Sequence, residues 1–474
     1  MPNPLLFKEN TAFRVFFLFS IAVITSSVCC NYFIQKQAPD FRNLEQSVST
    51  EIAKYNIPGA SIAIIRGEKI VYSKAFGTAN IETGEPTRPE MLFRLGSTTK
   101  MFTAAAVTGL AVEGKIDLNE PIGSYLKFLP QKVSAVTTNQ LLSHTAGICD
   151  RSPMYGSHDD AGLGIGIRGW TDDWMVTSPG TTFSYSSPGY WLAGYLLETV
   201  TSKPYADAME KRLFKPLGMT HTTLRPTMAM TWPLAQGHEI IDGKVKIARP
   251  AADNSATWPA GSIFSNTHDL AQFVIAFMNE GRLEGKQVLD PNVITLMSTS
   301  HVIIPGEAES GYAYCYGLST RIYRGYKILE HSGARIGYGS DIRVIPEEHV
   351  AVIVLTNRTD GSLPETIEKA IELFVPLSSK TAAMKKLTVM PISSQDDARM
   401  VGGYRNGDQQ IEIAIHDNRL FVKDGVHPET ELFKRSEGVF AVGNTDIEII
   451  SGAAARMDYV LMAGRAFSRK HLAP

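Results

Sequence analysis

Ser97-Thr98-Thr99-Lys100 places a hydroxyl group and an amine three positions apart, at the start of the apolar, alanine-rich run of residues 101–111. The run is followed by Gly114 and predicts a buried helix with a glycine C-cap. One helical turn brings the side chains of Ser97 and Lys100 together. Because the positive end of the helix dipole and a desolvated pocket both disfavour a charged amine, a neutral Lys100 can take the Ser97 proton.

A second Ser-x-x-Lys stretch, Ser124-Tyr125-Leu126-Lys127, lies in a different context. It follows Pro121-Ile122-Gly123 and precedes Pro130, and no apolar helix comes after it. We therefore interpret this copy as a surface turn without a chemical role.

Apolar runs elsewhere predict a sheet that is assembled from both ends of one domain. The predicted elements are a helix at 41–56, strands at 60–65, 70–75, 327–330, 340–345 and 350–356, and a helix at 364–375. Residues 92–280 are predicted to form mostly helices and long loops between the two groups of strands. This order indicates an α/β (α+β) fold with one antiparallel sheet flanked by helices, over residues 38–378. Short alternating runs in residues 385–474 predict a separate small β-barrel or sandwich.

Composition and charge exclude several classes of function. The 474 residues carry a net charge of -2 and no strongly basic run, so nucleic acid is not an expected partner. The sequence has no Gly-x-Ser-x-Gly elbow, no His-Glu-x-x-His motif and no phosphate-binding glycine loop, so we expect no cofactor and no metal. His158-Asp159-Asp160 lies in a Gly- and Ser-rich loop and is interpreted as solvated surface.

The first 30 residues have the pattern of an export signal. Lys8 and Arg14 precede the apolar run 15–24, and small residues follow it. A signal peptide is the first interpretation, and an uncleaved membrane anchor or lipidation at Cys29 or Cys30 are alternatives. We therefore expect a periplasmic, secreted or membrane-tethered protein, in which membrane association would involve the N-terminus.

The body of the chain keeps two cysteines, Cys149 and Cys315, which are too few for a disulfide framework. Whether they pair stays open, and the alternative is that each is a buried small hydrophobic residue.

Two further stretches supply groups that a serine acyl-transfer reaction needs. Tyr185, in Phe183-Ser184-Tyr185-Ser186-Ser187, can pass a proton to a leaving group if a neighbouring cation lowers its pKa. The alternative is a core tyrosine ahead of the apolar helix 191–199. His331, Ser332 and Gly333 lie on a predicted strand, where a side-chain donor can hold a substrate carboxylate or carbonyl and Gly333 lets substrate approach the backbone. The Ala334 amide can then join the Ser97 amide as an oxyanion hole.

In this order and spacing, the three stretches resemble those of the penicillin-recognising serine hydrolases: class C β-lactamases, DD-carboxypeptidases, and related esterases and D-amidases. Further segments are similar to that family, namely Leu141-Leu142-Ser143-His144-Thr145-Ala146-Gly147, Pro216-Leu217-Gly218-Met219, Pro259-Ala260-Gly261-Ser262 and Val354-Leu355-Thr356-Asn357. The resemblance implies a β-lactamase/transpeptidase-like fold, with Ser97 as nucleophile and Lys100 and Tyr185 as its proton-transfer partners. It also implies that His331-Ser332-Gly333 lies on the edge strand of the sheet. The C-terminal unit has Gly402-Gly403-Tyr404-Arg405-Asn406 ahead of its alternating runs, and it resembles the lipocalin-like β-domain of some members.

Two positions depart from the family pattern. Ser187 stands where penicillin-recognising members have the asparagine of Tyr-x-Asn, and a short hydroxyl cannot make both contacts of that amide. His331 replaces the lysine of class C β-lactamases and is more similar to the carboxypeptidase and esterase branches. The resemblance therefore implies an acyl-enzyme on Ser97 that cleaves D-alanyl peptides or small acyl esters. The alternatives are a transacylase or peptide cyclase, a β-lactamase, and a non-enzymatic protein that binds cell-wall peptide.

Overall fold

The computed structural model describes residues 39–307, 310–379, 390–392, 400–425, 428–436, 438–443, 448–451 and 459–469. The chain divides into residues 1–43 and a compact unit of residues 44–474. The signal predicted at residues 1–30, with Cys29 and Cys30, lies outside the described residues. The predicted boundary between residues 378 and 385 falls almost entirely on residues 380–389, which are also outside them, so it stays a prediction.

Twelve α-helices occur in the described part of the chain. They are α1 Arg42–Lys54, α2 Thr99–Val112, α3 Gln131–Ser134, α4 Thr138–Leu142, α5 Gly162–Arg168, α6 Ser187–Thr201, α7 Tyr205–Met209, α8 Pro226–Ala229, α9 Trp258–Gly261, α10 Thr267–Met278, α11 Pro291–Ser298 and α12 Pro364–Glu372. A π-helical turn spans Glu210–Phe214, and 3-10 turns span Gly96–Thr98, Ile122–Ser124, Asp172–Trp174, Ser255–Thr257 and Pro346–Glu348.

Within the described residues, fifteen strands precede the C-terminal barrel, and nine of them form one antiparallel sheet. The strands are β1 Gly59–Arg66, β2 Lys69–Asn80, β3 Glu85–Pro86, β4 Phe93–Arg94, β5 His238–Ile241, β6 Lys244–Ile247, β7 Phe264–Ser265, β8 Arg282–Leu283, β9 Lys286–Gln287, β10 Val302–Ile303, β11 Ala313–Tyr314, β12 Ser319–Tyr323, β13 Tyr326–Arg335, β14 Tyr338–Ile345 and β15 Val350–Thr356. The main sheet has the order β10-β11-β12-β13-β14-β15-β1-β2-β3, and β4-β7, β5-β6 and β8-β9 form small separate pairs.

The predicted sheet from distant segments is confirmed by the pairing of β1 with β15. Ile62 lies opposite Val354 and Ile64 opposite Val352, across nearly 300 residues of chain. β15 is buried at every position, as expected for a strand covered on both faces. The intervening helices cover this sheet, and the large apolar core between them includes Phe102 of α2 and Phe273 of α10, whose ring centroids are 4.4 Å apart.

The C-terminal strands form a closed barrel. They are β16 Gly402–Asn406, β17 Gln409–His416, β18 Arg419–Lys423, β19 Thr430–Ser436, β20 Val439–Val442, β21 Glu448–Ser451, β22 Tyr459–Met462 and β23 Arg465–Arg469. Ile411 and Ile413 are buried while Glu412 between them is exposed, so one face of each strand fills the interior. Pairing of β16 with β23 closes the sheet and leaves a barrel rather than a sandwich.

Cys149 and Cys315 are both free and buried, so they do not pair, and burial raises the pKa of Cys149 to about 11. Each fills core space as a small hydrophobic side chain. Among the described residues, no helix has the length and hydrophobicity needed to cross a bilayer.

Candidate active site

Ser97 lies in a 3-10 turn, Gly96–Thr98, that leads directly into α2. The turn is held against the sheet by the Thr98 hydroxyl, 2.7 Å from the Ser340 hydroxyl, which in turn donates to the Leu95 carbonyl at 2.6 Å. Gly96 has φ +54, and a Cβ there would lie 2.6 Å from the Ala334 nitrogen. The close contact between this turn and β13 therefore requires glycine at position 96.

Lys100 is fully buried and directed at Ser97. Its Nζ lies 3.1 Å from the Ser97 Oγ and 2.9 Å from the Ala260 carbonyl oxygen. Burial lowers the pKa of Lys100 to about 7, so a large fraction of the amines is neutral near neutral pH. A neutral amine at hydrogen-bond distance from a hydroxyl is the arrangement that activates a serine nucleophile.

Tyr185 precedes α6 and faces the same two residues. The Lys100 Nζ lies 4.9 Å from the centroid of the Tyr185 ring. Burial raises the pKa of Tyr185, and a hydrogen bond with the Ser97 side chain acts more weakly in the opposite direction. The structure differs here from the sequence interpretation, which required a cation to lower this pKa; Tyr185 stays a neutral phenol that can donate a proton while Lys100 accepts one.

Ser97 and Ala334, the predicted oxyanion-hole residues, lie close together at the junction of the Gly96–Thr98 turn and β13. A Cβ on Gly333 would lie 2.9 Å from the Ser97 nitrogen and 2.0 Å from the Leu95 oxygen. The absence of a side chain at Gly333 thus makes room for the backbone of the Gly96–Thr98 turn. The sequence interpretation assigned that space to substrate. Ser97, Ser332 and Ala334 all line the cavity described below.

His331 is neutral, and both of its ring nitrogens are occupied. Its Nδ1 donates to the Ser332 carbonyl at 2.6 Å, so Nε2 accepts from the Tyr314 hydroxyl at 3.1 Å. Burial lowers the pKa of His331 to about 3. The side chain of His331 lines the cavity, but neither ring nitrogen is free to donate the hydrogen bond to a substrate that the sequence predicted.

Strand β13 is not at the edge of the sheet, contrary to the prediction. It pairs with β14 on one side and with β12 on the other. The β12 pairing ends at Glu330, so within the described residues the stretch 331–335 has a strand partner only in β14. The motif thus has an open backbone edge although its strand is internal.

Ser187 is the first residue of α6, and its backbone N–H donates to the Asp150 Oδ1 at 3.0 Å. Among the described residues that line the cavity, Ser187 is absent. Ser187 therefore does not form part of the cavity wall, although it lies two residues after Tyr185 in the sequence.

Sequence reasoning missed two residues beside this group. The ring of His144 lies 4.2 Å from that of Tyr185, and its Nδ1 accepts from the Ser186 N–H at 3.1 Å, which fixes the loop that carries Tyr185. Asp150 is buried and holds the start of α6. The segment around His144 was identified as family-like, but nothing in the sequence indicated a contact with Tyr185.

A cavity of about 570 Å³ opens over Ser97. Its walls include the aromatic residues Phe183, Tyr185, Tyr312 and Tyr314. They also include four charged residues of the sheet, Arg321, Glu330, Asp341 and Arg343, and three residues of the barrel, Ala463, Gly464 and Arg465. The Arg321 Nε lies 3.0 Å from Glu330, and the Arg343 Nε lies 3.3 Å from Asp341, so these four charges are paired.

The other stretches named from the sequence lie apart from this cavity. The Ser124 hydroxyl donates to Glu120 at the surface. His158 lies 2.8 Å from Asp253, and Asp160 pairs with Arg225 at 2.7 Å. No group of three or more metal-ligating side chains occurs in the part of the chain that the structure describes.

Comparison with known proteins adds the following matches. The Beta-lactamase family model matches residues 42–374. The unguisins hydrolase ungD' of Aspergillus campestris (strain IBT 28561) is 28% identical over 340 residues, which cover 68% of this chain and 62% of that protein. The aligned region thus spans less than two thirds of this curated relative.

Two solved structures share the fold. SurE with D-Leu superposes with a TM-score of 0.72 at 23% identity, covering 90% of this chain and 99% of that chain. The D-alanine carboxypeptidase AmpC from Burkholderia cenocepacia gives a TM-score of 0.58 at 22% identity, covering 70% of this chain and 99% of that chain. The first likeness therefore includes the C-terminal barrel region and the second does not extend over as much of the chain.

Proposed function

This chain belongs to the beta-lactamase family, a family of serine hydrolases, and on that premise we propose that it forms an acyl-enzyme on Ser97 and cleaves amide or ester bonds. The observation that carries the proposal is the 3.1 Å contact between the Lys100 Nζ and the Ser97 Oγ. Burial lowers the pKa of this lysine to about 7, which makes it a competent base.

The proposed reaction has two halves. Lys100 takes the Ser97 hydroxyl proton while Oγ attacks the substrate carbonyl carbon, and the Ser97 and Ala334 amides donate to the oxyanion. The proton returns through the Tyr185 hydroxyl to the leaving amine or alcohol as its bond to that carbon breaks. Water then attacks the carbonyl carbon of the ester on Ser97 and gives a proton to Lys100. As the bond from that carbon to Oγ breaks, Lys100 returns the proton to the Ser97 Oγ, and the carboxylic acid is released.

We propose D-alanyl peptides or small acyl esters as substrates. The charged and aromatic wall around Arg343 and Tyr312 supports a polar substrate. Fold relatives that bind D-Leu or act as a D-alanine carboxypeptidase support a residue of D configuration. Ser187 replaces the family's asparagine, and its short hydroxyl cannot make both contacts of that amide, which supports placing β-lactams after these two classes.

A substrate panel tests the proposal. The purified protein is incubated with D-alanyl peptides, nitrophenyl esters and a chromogenic cephalosporin, each with and without an acceptor amine, beside a Ser97→Ala control. Turnover of a D-alanyl peptide or ester that disappears in Ser97→Ala supports the proposal, and the amine separates hydrolysis from acyl transfer. Turnover that persists in Ser97→Ala, or peptide binding without turnover, would favour another function.

We further propose that residues 1–30 direct export, on the strength of Lys8, Arg14 and the apolar run 15–24. Phe17→Asp interrupts that run and should retain the protein inside the cell, as measured by immunoblotting of cell fractions. Equal export of the wild type and the variant would contradict this.

A further inference from the structure

The barrel contributes a tight turn to the wall of the active-site cavity. Strands β22 and β23 are joined by Ala463 and Gly464, with Met462 paired to Arg465. Both turn residues have positive φ, +49 and +71, as in a two-residue type I′ hairpin. Ala463, Gly464 and Arg465 line the cavity together with Ser97 and Tyr185. The turn therefore has a conformation that an alanine rarely adopts, at a position facing the nucleophile.

Hydrogen bonds on both sides of the turn attach it to the loop that carries Tyr185. The Tyr185 N–H donates to the Gly464 carbonyl at 2.9 Å. The Ala466 N–H donates to the Ser184 Oγ at 3.0 Å. The backbone around Tyr185 is thus held by the barrel as well as by its own domain.

An ion pair between the partly exposed Arg465 and the buried Asp150 lies next to these bonds. The Arg465 Nε lies 2.7 Å from the Asp150 Oδ2, while the other Asp150 oxygen accepts from the Ser187 N–H. The Asp150 N–H donates to the Asn406 side chain at 2.7 Å, which is a second contact with the barrel. Within the described part of the chain, Arg465 is the cation that pairs with this buried carboxylate, and a buried carboxylate without a partner is costly.

The Arg465 guanidinium lies 5.3 Å from the centroid of the Tyr185 ring, and the Lys100 Nζ lies 4.9 Å from the same centroid, so the ion pair is close to the lysine. The groups facing the Lys100 amine are the rings of Tyr185 and Tyr190, the neutral imidazoles of His144 and His331, and the charges of Asp150 and Arg465. Asp150 raises the pKa of Lys100 and Arg465 lowers it, beneath the larger effect of burial. A carboxylate left alone beside the amine would favour the ammonium form, which cannot act as a base.

We propose that Arg465, supplied by the barrel, is a positioning residue for the reaction at Ser97, and that its ion pair with Asp150 prevents this carboxylate from stabilising a charged Lys100. The inference rests on the proposed acyl-enzyme function and adds the barrel to the catalytic unit. Arg465 does not take the Ser97 proton; it acts through Asp150.

The test is the rate at which a fluorophosphonate probe labels Ser97, measured from pH 5 to pH 9 in the full-length protein. Arg465→Ala should raise the pH at which the labelling rate is half-maximal by about half a unit to one unit. The rate should therefore fall by about threefold to tenfold at pH 6 and equal that of the wild type at pH 9. Arg465→Lys should restore most of the shift. Asp150→Asn should move the midpoint downward, and the double variant should lie between the two single variants.

Arg419→Ala is the matched control, because Arg419 pairs with Glu431 on the exposed surface of the same barrel, 3.2 Å apart. Its pH profile should equal that of the wild type. An equal loss of rate at every pH in Arg465→Ala, or an Asp150→Asn midpoint that does not fall, would overturn this inference while leaving the acyl-enzyme intact. A wild-type protein that the probe does not label would instead overturn the proposed function, and this inference with it.

Discussion

The chemistry at Lys100 depends on burial more than on any single neighbour. Desolvation is the largest cause of its lowered pKa, ahead of the opposing effects of Asp150 and Arg465. A pattern of residues can predict that Ser97 and Lys100 share a helix face. It cannot predict that Asp150 and Arg465 form an ion pair near Lys100, because these two residues are 315 positions apart and come together only in the folded protein.

Lys100→Ala and Tyr185→Phe test whether these residues form one proton-transfer unit. Each variant should lower kcat/KM by about 10²-fold to 10⁴-fold, because proton transfer by a positioned group contributes on that scale. The double variant should lose little more than the worse single variant, since groups that act as a unit are not additive. Circular dichroism checks that the fold is intact. A double variant that loses the product of the two single losses would show independent groups.

The pH dependence of hydrolysis should report Lys100 and not His331. The base form of Lys100 is required, so kcat/KM should rise with pH and reach half its maximum near pH 7. The pKa of His331 is held at about 3, below this range, so His331→Gln should change the size of the rate but not that midpoint. A midpoint that disappears in His331→Gln would assign the titration to the histidine.

At the scale of elements, the strands that pair locally or carry long apolar runs were predictable. β1, β2, β14 and β15 have such runs, and the sequence placed all four. The short strands β10, β11 and β12 were missed, since segments such as Ser319–Tyr323 mix polar and apolar residues and are defined by their partners. These strands contradict the edge position that the family resemblance implied for β13. The open edge at residues 331–335 could be found only from the register, which ends at Glu330.

Gly333→Ala tests the contact between β13 and the Gly96–Thr98 turn. The new Cβ would lie 2.0 Å from the Leu95 oxygen, so the turn must shift away from the Ala334 amide. Loss of one oxyanion donor typically lowers kcat by about 10²-fold or more, and overpacking costs about 1–3 kcal/mol of stability. Gly109→Ala on α2 is the control, because the nearest atom to a new Cβ there is the Arg212 Nη2 at 3.5 Å, and this variant should keep full activity. Full activity in Gly333→Ala would contradict the assigned hole.

At the scale of the whole molecule, the sequence predicted two folded units but not that they share a site. Residues 44–474 form one compact unit, and the barrel reaches the cavity through its β22–β23 turn. The barrel strands are visible in the sequence as alternating runs. Which barrel turn faces Ser97 is decided by docking contacts such as that of Asn406 with Asp150, for which no local pattern exists.

A substitution that destabilises the barrel core should therefore also lower the temperature at which Ser97 loses its reactivity. Phe440 is buried within the barrel, and Phe440→Ala should cost about 3–5 kcal/mol. When this variant is heated, labelling of Ser97 by a fluorophosphonate should be lost at the same temperature at which the barrel unfolds. Ile415→Ala, at an exposed barrel position, is the control and should leave both transitions unchanged. Full labelling after the barrel has unfolded would show that the hydrolase part acts alone.

The most direct test of the whole account is to find the residue that carries the acyl group. The full-length protein is treated with a fluorophosphonate or a β-lactam, digested, and mapped by mass spectrometry, beside Ser97→Ala and Ser124→Ala variants. Ser97 has Lys100 at 3.1 Å, whereas Ser124 donates to Glu120 on the surface. The account predicts a single adduct on Ser97, absent from Ser97→Ala and retained in Ser124→Ala. An adduct on Ser124, or one that survives in Ser97→Ala, would contradict it.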